Sequence, residues 1–358
     1  GNGTAVAMDP YLILDLMDCS VKLNPGSYTY SGTQCTPSVS SISYNHFTDR
    51  DGEVVNGDNS GLYLNPATGF IISGYGENVH CKTGTITLTG SQDTNRTAVT
   101  TDQAKIGSIT VSFSINKADL TASISADKTT MYSGQPVMLS LRDYTSGTAG
   151  TGSLSELLRE SSQKAEGPQV TWSVVNGSGS FSGSGLSTTF TPDSTGTVTV
   201  RATLTDMNDF NEYTTEAIPL TVQKRTALTA SLSTDAPHPR KEVSVNLPTG
   251  VTSATYQWYA DGAEISGATN AAYTPTNSDR GKTLSVKIVP DASSQYAEAT
   301  VTAANPVEDH KYSGNGFCTV CDEYEPATLS GDTYQIGNGG QMFWFASLVN
   351  GDKTHAEF

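Results

Sequence analysis

The chain has 358 residues, of which 36% are hydrophobic and only 16% charged, with a formal net charge of -16. That length suggests two to four domains, and the acidity disfavours nucleic acid and anionic membrane surfaces as partners. No apolar run reaches the ~18 residues of a membrane-spanning helix; the stretch 11–17 is short and is broken by Asp15.

Gly, Ser and Thr are abundant, and Thr- and Val-rich runs alternate with turn residues throughout. This pattern predicts a mainly β chain of serial sandwiches, with strands burying one face. The first β-rich region runs over residues 1–118. In its closing strand, Ile109, Val111, Phe113 and Ile115 fall on one face by strict alternation. It holds Cys19, Cys35 and Cys81. Cys35 with Cys81 is a candidate bridge, but spacing does not fix connectivity. Oxygen donors crowd at Asp49, Asp51, Glu53, Asn56, Asp58 and Asn59. Calcium favours such groups, yet the EF-hand spacing is missing, and a solvated hairpin loop is the expectation. Asn59 interrupts the protease-like stretch Gly57-Asp-Asn-Ser-Gly61.

The second region, 119–224, predicts strands at 120–124, 137–141, 170–175 and 198–204. Within it, 146–167 is expected to be an inserted loop carrying a short helix. Ser153-Leu-Ser-Glu156 reads as its capping box, with Leu154, Leu157 and Leu158 near one face. The third region, 225–305, predicts strands at 228–232, 243–247, 255–259 and 284–289. The two regions repeat one pattern. Trp172, Phe190-Thr-Pro192 and Gly196 in one match Trp258, Tyr273-Thr-Pro275 and Gly281 in the other. Both tryptophans are expected in cores. Tyr256 and Tyr259 are expected to face outward together, where paired rings could stack on a sugar or peptide. The joins at 116–119 and 223–226 are very short, so a stiff rod is expected. Lys117, Lys128 and Lys241 lie near strand ends and could serve intramolecular isopeptide bonds, although a solvated lysine is the ordinary state.

The tail, 306–358, contains His310 and the Cys318-Thr-Val-Cys321 pair. Structural zinc needs four N or S donors, and the second pair that usually completes such a site is missing. Cys318, Cys321 and His310 are therefore three candidate ligands, with His355 the remaining thought for a fourth. Acidic Asp322 and Glu323 argue against a redox-active thiol, and a structural turn is the expectation. The run 341–349 is apolar nearly all round and predicts a fully buried helix. The chain starts with Gly and no signal peptide, and both ends are expected to be cut from something longer.

Region three resembles the immunoglobulin-like repeats of bacterial surface proteins, through Tyr256-Gln-Trp-Tyr-Ala-Asp-Gly262, Ile265-Ser-Gly-Ala-Thr269, Tyr273-Thr-Pro275 and Asp279-Arg-Gly281. It lacks that fold's inter-sheet cysteines and corner tyrosine. Region one resembles a repeat of Firmicutes surface proteins at Tyr28–Gly32, Tyr75–Asn78 and Phe113–Lys117. The tail resembles segments of large Gram-positive surface proteins at Gly316–Pro326 and Ile336–Phe345. These resemblances imply an extracellular, non-enzymatic, adhesin-like stalk that meets a protein or glycan, without a resident cofactor. The alternative is a set of accessory carbohydrate-binding modules from a secreted enzyme.

Overall fold

A computed structural model describes residues 13–44, 47–48, 54–55, 63–64, 70–90, 104–161 and 168–358. The oxygen-rich stretch 49–59 lies almost wholly outside these, and so does the calcium expectation with it. The chain is mainly β, in serial immunoglobulin-like sandwiches with a short C-terminal helix. No helix among the described residues is long and apolar enough to cross a membrane.

In the first region, Ser108–Asn116 pairs antiparallel with Thr83–Gly90 and parallel with Ser27–Thr29. Its alternating face is buried as expected, with Phe113 and Ile115 packing among Leu16, Cys35, Ile86 and Leu88. The Cys35–Cys81 bridge is not formed. Cys35 keeps a thiol, which is buried and turned towards the Thr33 carbonyl oxygen at 3.9 Å. Cys81 instead lies at the boundary with the next sandwich, where its N–H is held by Asp209.

The second sandwich faces a sheet containing Val137–Ser140 and Ser187–Pro192 against one built on Gly196–Thr205. Period-2 alternation in Gly196–Thr205 buries Val198, Val200, Ala202 and Leu204 completely. Within the expected inserted loop, the described residues up to Ser161 carry regular structure. Asp143–Ser146 and Gly150–Ser153 form a hairpin that feeds directly into the helix Leu154–Ser161. Leu154 and Leu157 are buried, and Leu158 packs beside them. Trp172 is only half-buried; it straddles two apolar clusters and donates its indole N–H to the Gly185 carbonyl at 2.9 Å.

In the third sandwich, Ala254–Ala260 pairs with Leu284–Pro290 across the register Trp258↔Val286. Trp258 is completely buried, and its N–H reaches the Asn270 carbonyl at 2.9 Å. The expectation of two outward tyrosines fails on parity. Tyr256 is two residues from Trp258, so it shares Trp258's inward face and packs into the same core. Tyr259 alone points the other way, half-exposed.

Each join is fastened from the side. Between the first two regions, Asp209 accepts the Cys81 N–H at 2.6 Å and meets His80 Nδ1 at 2.9 Å, while Tyr30 packs edge-on against Phe210. Between the second and third, Arg225 donates to the carbonyls of Ser133 (3.0 Å), Ala292 (2.7 Å) and Ser294, and lies over the Tyr132 ring. Of the lysines, Lys117 and Lys128 each donate to a backbone carbonyl, of Met207 and Pro136 respectively, at 2.7 Å, and Lys241 is exposed.

The tail closes with the hairpin Thr328–Ser330/Thr333–Gln335 and the helix Gly339–Asn350. Asn338 caps the helix by accepting the Gln341 N–H, and Gly351 ends it at φ +68°. The expectation of burial on all sides is corrected. Trp344 and Ser347 are buried against the tail's own loops, but Met342, Phe343 and Val349 are more than half exposed.

Candidate metal centre

Four donors converge where the third sandwich meets the tail: His238, His310, Cys318 and Cys321. Their ligating atoms all lie within 4.8 Å of one another. Three of them are the residues that the sequence singled out. The fourth, His238, sits in the Pro237-His238-Pro239 turn that leads into Val243–Asn246, and sequence reasoning missed it. His355 stands apart, its ring against Tyr324.

Local backbone geometry delivers each donor. The segment after the third sandwich runs back alongside the His238 turn, with Asn305 N–H on the Asp235 carbonyl at 3.1 Å and Glu308 N–H on the Pro237 carbonyl at 2.8 Å. This brings the His310 ring to 5.1 Å from that of His238. The Cys-x-x-Cys loop is a tight turn. Cys318 N–H donates to the Glu323 carbonyl at 2.8 Å, and Asp322 N–H to the Cys318 carbonyl at 3.2 Å. Asp322 takes a left-handed φ of +60° so that the turn can close; Asp tolerates this better than most residues because its short side chain can bond locally.

Both rings present a lone pair to the sulfurs. A carbonyl oxygen can only accept, so His238 Nδ1, 2.8 Å from the Pro239 carbonyl, must carry the proton. In the neutral ring Nε2 is then the nitrogen with the lone pair, and it faces Cys318 Sγ at 3.6 Å. His310 follows the same logic. Asn277 donates its Nδ2 to Glu323 Oε1 at 2.8 Å, which leaves its Oδ1 to accept from His310 Nε2 at 2.6 Å. The bare Nδ1 of His310 faces Cys321 Sγ at 3.3 Å. A ring nitrogen fixed by an outer partner while the other points inward is the usual arrangement of metal-binding histidines.

Burial and charge act on the same groups. Burial lowers the His310 pKa, against the pull of the Glu323 carboxylate, with His238, Arg280 and Arg240 lowering it further. The imidazole is therefore held neutral, the form that binds metals. Burial raises the Cys318 thiol, but backbone hydrogen bonds from Cys321, Val320 and Lys311 outweigh it and hold the pKa below its ordinary value. Cys321 is pushed up to about 11, first by burial and then by Cys318 and Glu323. The Glu323 side chain is only 3% exposed and is met by Arg240 Nε at 2.5 Å.

Two sulfurs and two imidazoles suit a tetrahedral zinc-type ion, for which bond lengths of about 2.0–2.3 Å imply S···N edges of about 3.5 Å. The pairs His310 Nδ1–Cys321 Sγ and His238 Nε2–Cys318 Sγ, at 3.3 and 3.6 Å, lie near that edge, within a donor set spanning up to 4.8 Å. All four positions are filled by protein. The arrangement suits structural rather than catalytic metal chemistry, since no coordination position is left for water.

No family model matches this chain, and no curated protein matches it. Solved structures with a similar course of strands include the Escherichia coli adhesin FdeC, at 16% identity and TM-score 0.28 over 82% of this chain and 97% of that one. Titin domains A168–A170 match at 13% identity and TM-score 0.25, over 79% and 96%. The fibronectin(III)-like modules of Clostridium thermocellum CbhA match at 11% and TM-score 0.24, over 53% and 99%.

Proposed function

We propose that this chain is a non-enzymatic, extracellular stalk segment of a bacterial surface protein, an adhesin-like spacer that presents or mediates binding to a protein or glycan. The observation that carries this reading is the fastening of the joins. A tether that only had to link binding modules would gain from loose, polar linkers. Here each join is a few residues long, and a side chain from one side reaches hydrogen-bonding groups on the other. Arg225 suits this role because its planar fork satisfies several carbonyls at once from one position. The resemblance of the third region to repeats of bacterial surface proteins, and of the tail to segments of large Gram-positive surface proteins, agrees with such a spacer. The carbohydrate-binding alternative loses the paired surface that suggested it, because Tyr256 is turned into the core, away from the face that carries Tyr259.

Small-angle scattering of the wild-type chain beside Arg225→Ala tests the reading. The wild type is expected to fit one extended arrangement, and the variant to need a broad ensemble hinged at 223–226. A wild type that already needs as broad an ensemble as the variant removes the basis for a stalk.

A further inference from the structure

We propose that His238, His310, Cys318 and Cys321 bind one zinc ion, and that this ion staples the tail onto the third sandwich. The inference is independent of the stalk reading.

Ligand provenance carries the second half of the proposal. His238 belongs to a turn of the third sandwich, whereas both cysteines belong to the tail. An ion bonded to all four adds a direct bond between two units that also meet through Val307 in the sandwich core, the Arg280–Asp309 pair, Arg240, Asn277 and several backbone bonds. The outer partners are divided in the same way. Asn277 and Arg240 of the sandwich hold the tail's Glu323, and Arg240 also donates to the Thr354 and Lys353 carbonyls at 2.6 and 3.2 Å. The first ring of ligands and the groups behind it thus span the same boundary.

A disulfide between Cys318 and Cys321 would account for two sulfurs and nothing more. It gives no reason for two buried imidazoles to aim bare nitrogens at those sulfurs while each bonds an oxygen on its far side. Zinc accounts for all four. Binding is a simple exchange: both thiols release their protons, each imidazole binds in its neutral form through the ring nitrogen that faces the sulfurs, and no electrons are transferred. Three ligands would leave an open position, so His238 also explains why the centre is closed.

The test uses the full chain, reduced and stripped with a chelator, then titrated with zinc against a chromophoric competitor and separately with cobalt. The expected result is one zinc per chain, and a cobalt spectrum with the intense visible bands of a tetrahedral site and a thiolate charge-transfer band. His238→Ala is expected to weaken zinc by at least about tenfold and to speed hydrogen exchange across 308–325, while exchange in the strand Gly196–Thr205 of the second sandwich is unchanged. Failure of the reduced wild type to take up zinc would overturn the site, and this arm needs no variant to fold. Zinc bound equally well by His238→Ala would overturn the staple.

Discussion

Arg240 occupies in the third sandwich the backbone position that Gly134 occupies in the second. Each lies three residues before the first strand residue, Val243 or Val137, and each donates its N–H to the carbonyl of the matching proline, Pro275 at 2.9 Å or Pro192 at 2.7 Å. Both are left-handed, at φ +63° and +77°. Glycine holds such a conformation freely, but any other residue there carries a cost of about 1–2 kcal/mol. The third sandwich tolerates the strain because the arginine side chain leaves this turn for Glu323 and the 353–354 carbonyls.

Arg240→Gly relieves that strain and still destabilises. The gain of about 1 kcal/mol in the backbone is outweighed by leaving the buried Glu323 carboxylate without its guanidinium, which costs about 3 kcal/mol. A net loss of about 2 kcal/mol is expected in urea unfolding followed by tail tryptophan fluorescence at Trp344. A variant as stable as the wild type would show that the ion pair contributes no more than the strain consumes.

Neighbouring glycines at the start of the C-terminal helix should respond oppositely. A Cβ on Gly340 would overlap the Gly316 carbonyl, whereas one on Gly339 meets nothing closer than 3.6 Å. Gly340→Ala must push two backbones apart and is expected to cost at least about 2 kcal/mol. Gly339→Ala is expected to be neutral or to stabilise by up to about 1 kcal/mol. Paired thermal melts decide it, and equal melting temperatures would mean that the helix does not press on the Gly316 turn.

Tyr273 sets the alkaline limit of the third sandwich. Burial, and then its hydrogen bond to Asp279 Oδ2 at 2.8 Å, raise its pKa well above the ordinary value. The unfolded chain ionises first, near pH ~10. The contribution is therefore complete below that pH and is lost as pH rises towards the folded value. Tyr273→Phe should cost about 1–2 kcal/mol at neutral pH and flatten the fall in stability above pH ~10, as read by urea titrations across that range. An unchanged alkaline slope would place its origin elsewhere.

Much of the fold was legible because alternation carries direct spatial meaning. Ile109 to Ile115, Val198 to Leu204 and Leu284 to Ile288 line their cores as their spacing demands. The same rule, properly counted, places Tyr256 beside Trp258, so that error lay in parity and not in the signal. The C-terminal helix misled for a different reason. Apolar composition says what can be buried, but burial requires a neighbour, and Met342 and Val349 have none among the described residues that covers them. The metal centre was three-quarters legible. Cys318, Cys321 and His310 sit close in sequence, but His238 is 80 residues before Cys318. Only the return of 305–308 along 235–237 brings it in, and no local spacing encodes that pairing. The available signal was slight: a histidine between two prolines, rigidly presented at the head of a strand.

The division of the four ligands also sets an order of assembly. A chain made from its N-terminus completes the third sandwich before the Cys-x-x-Cys turn exists. His238 is then already fixed in its turn, with its ring oriented by the Pro239 carbonyl. The tail arrives last, to a surface that already holds one of its donors in place. The sandwich is thus a template for the tail's fold, and a tail released without it would have two thiols and a histidine but no closed site to fold around.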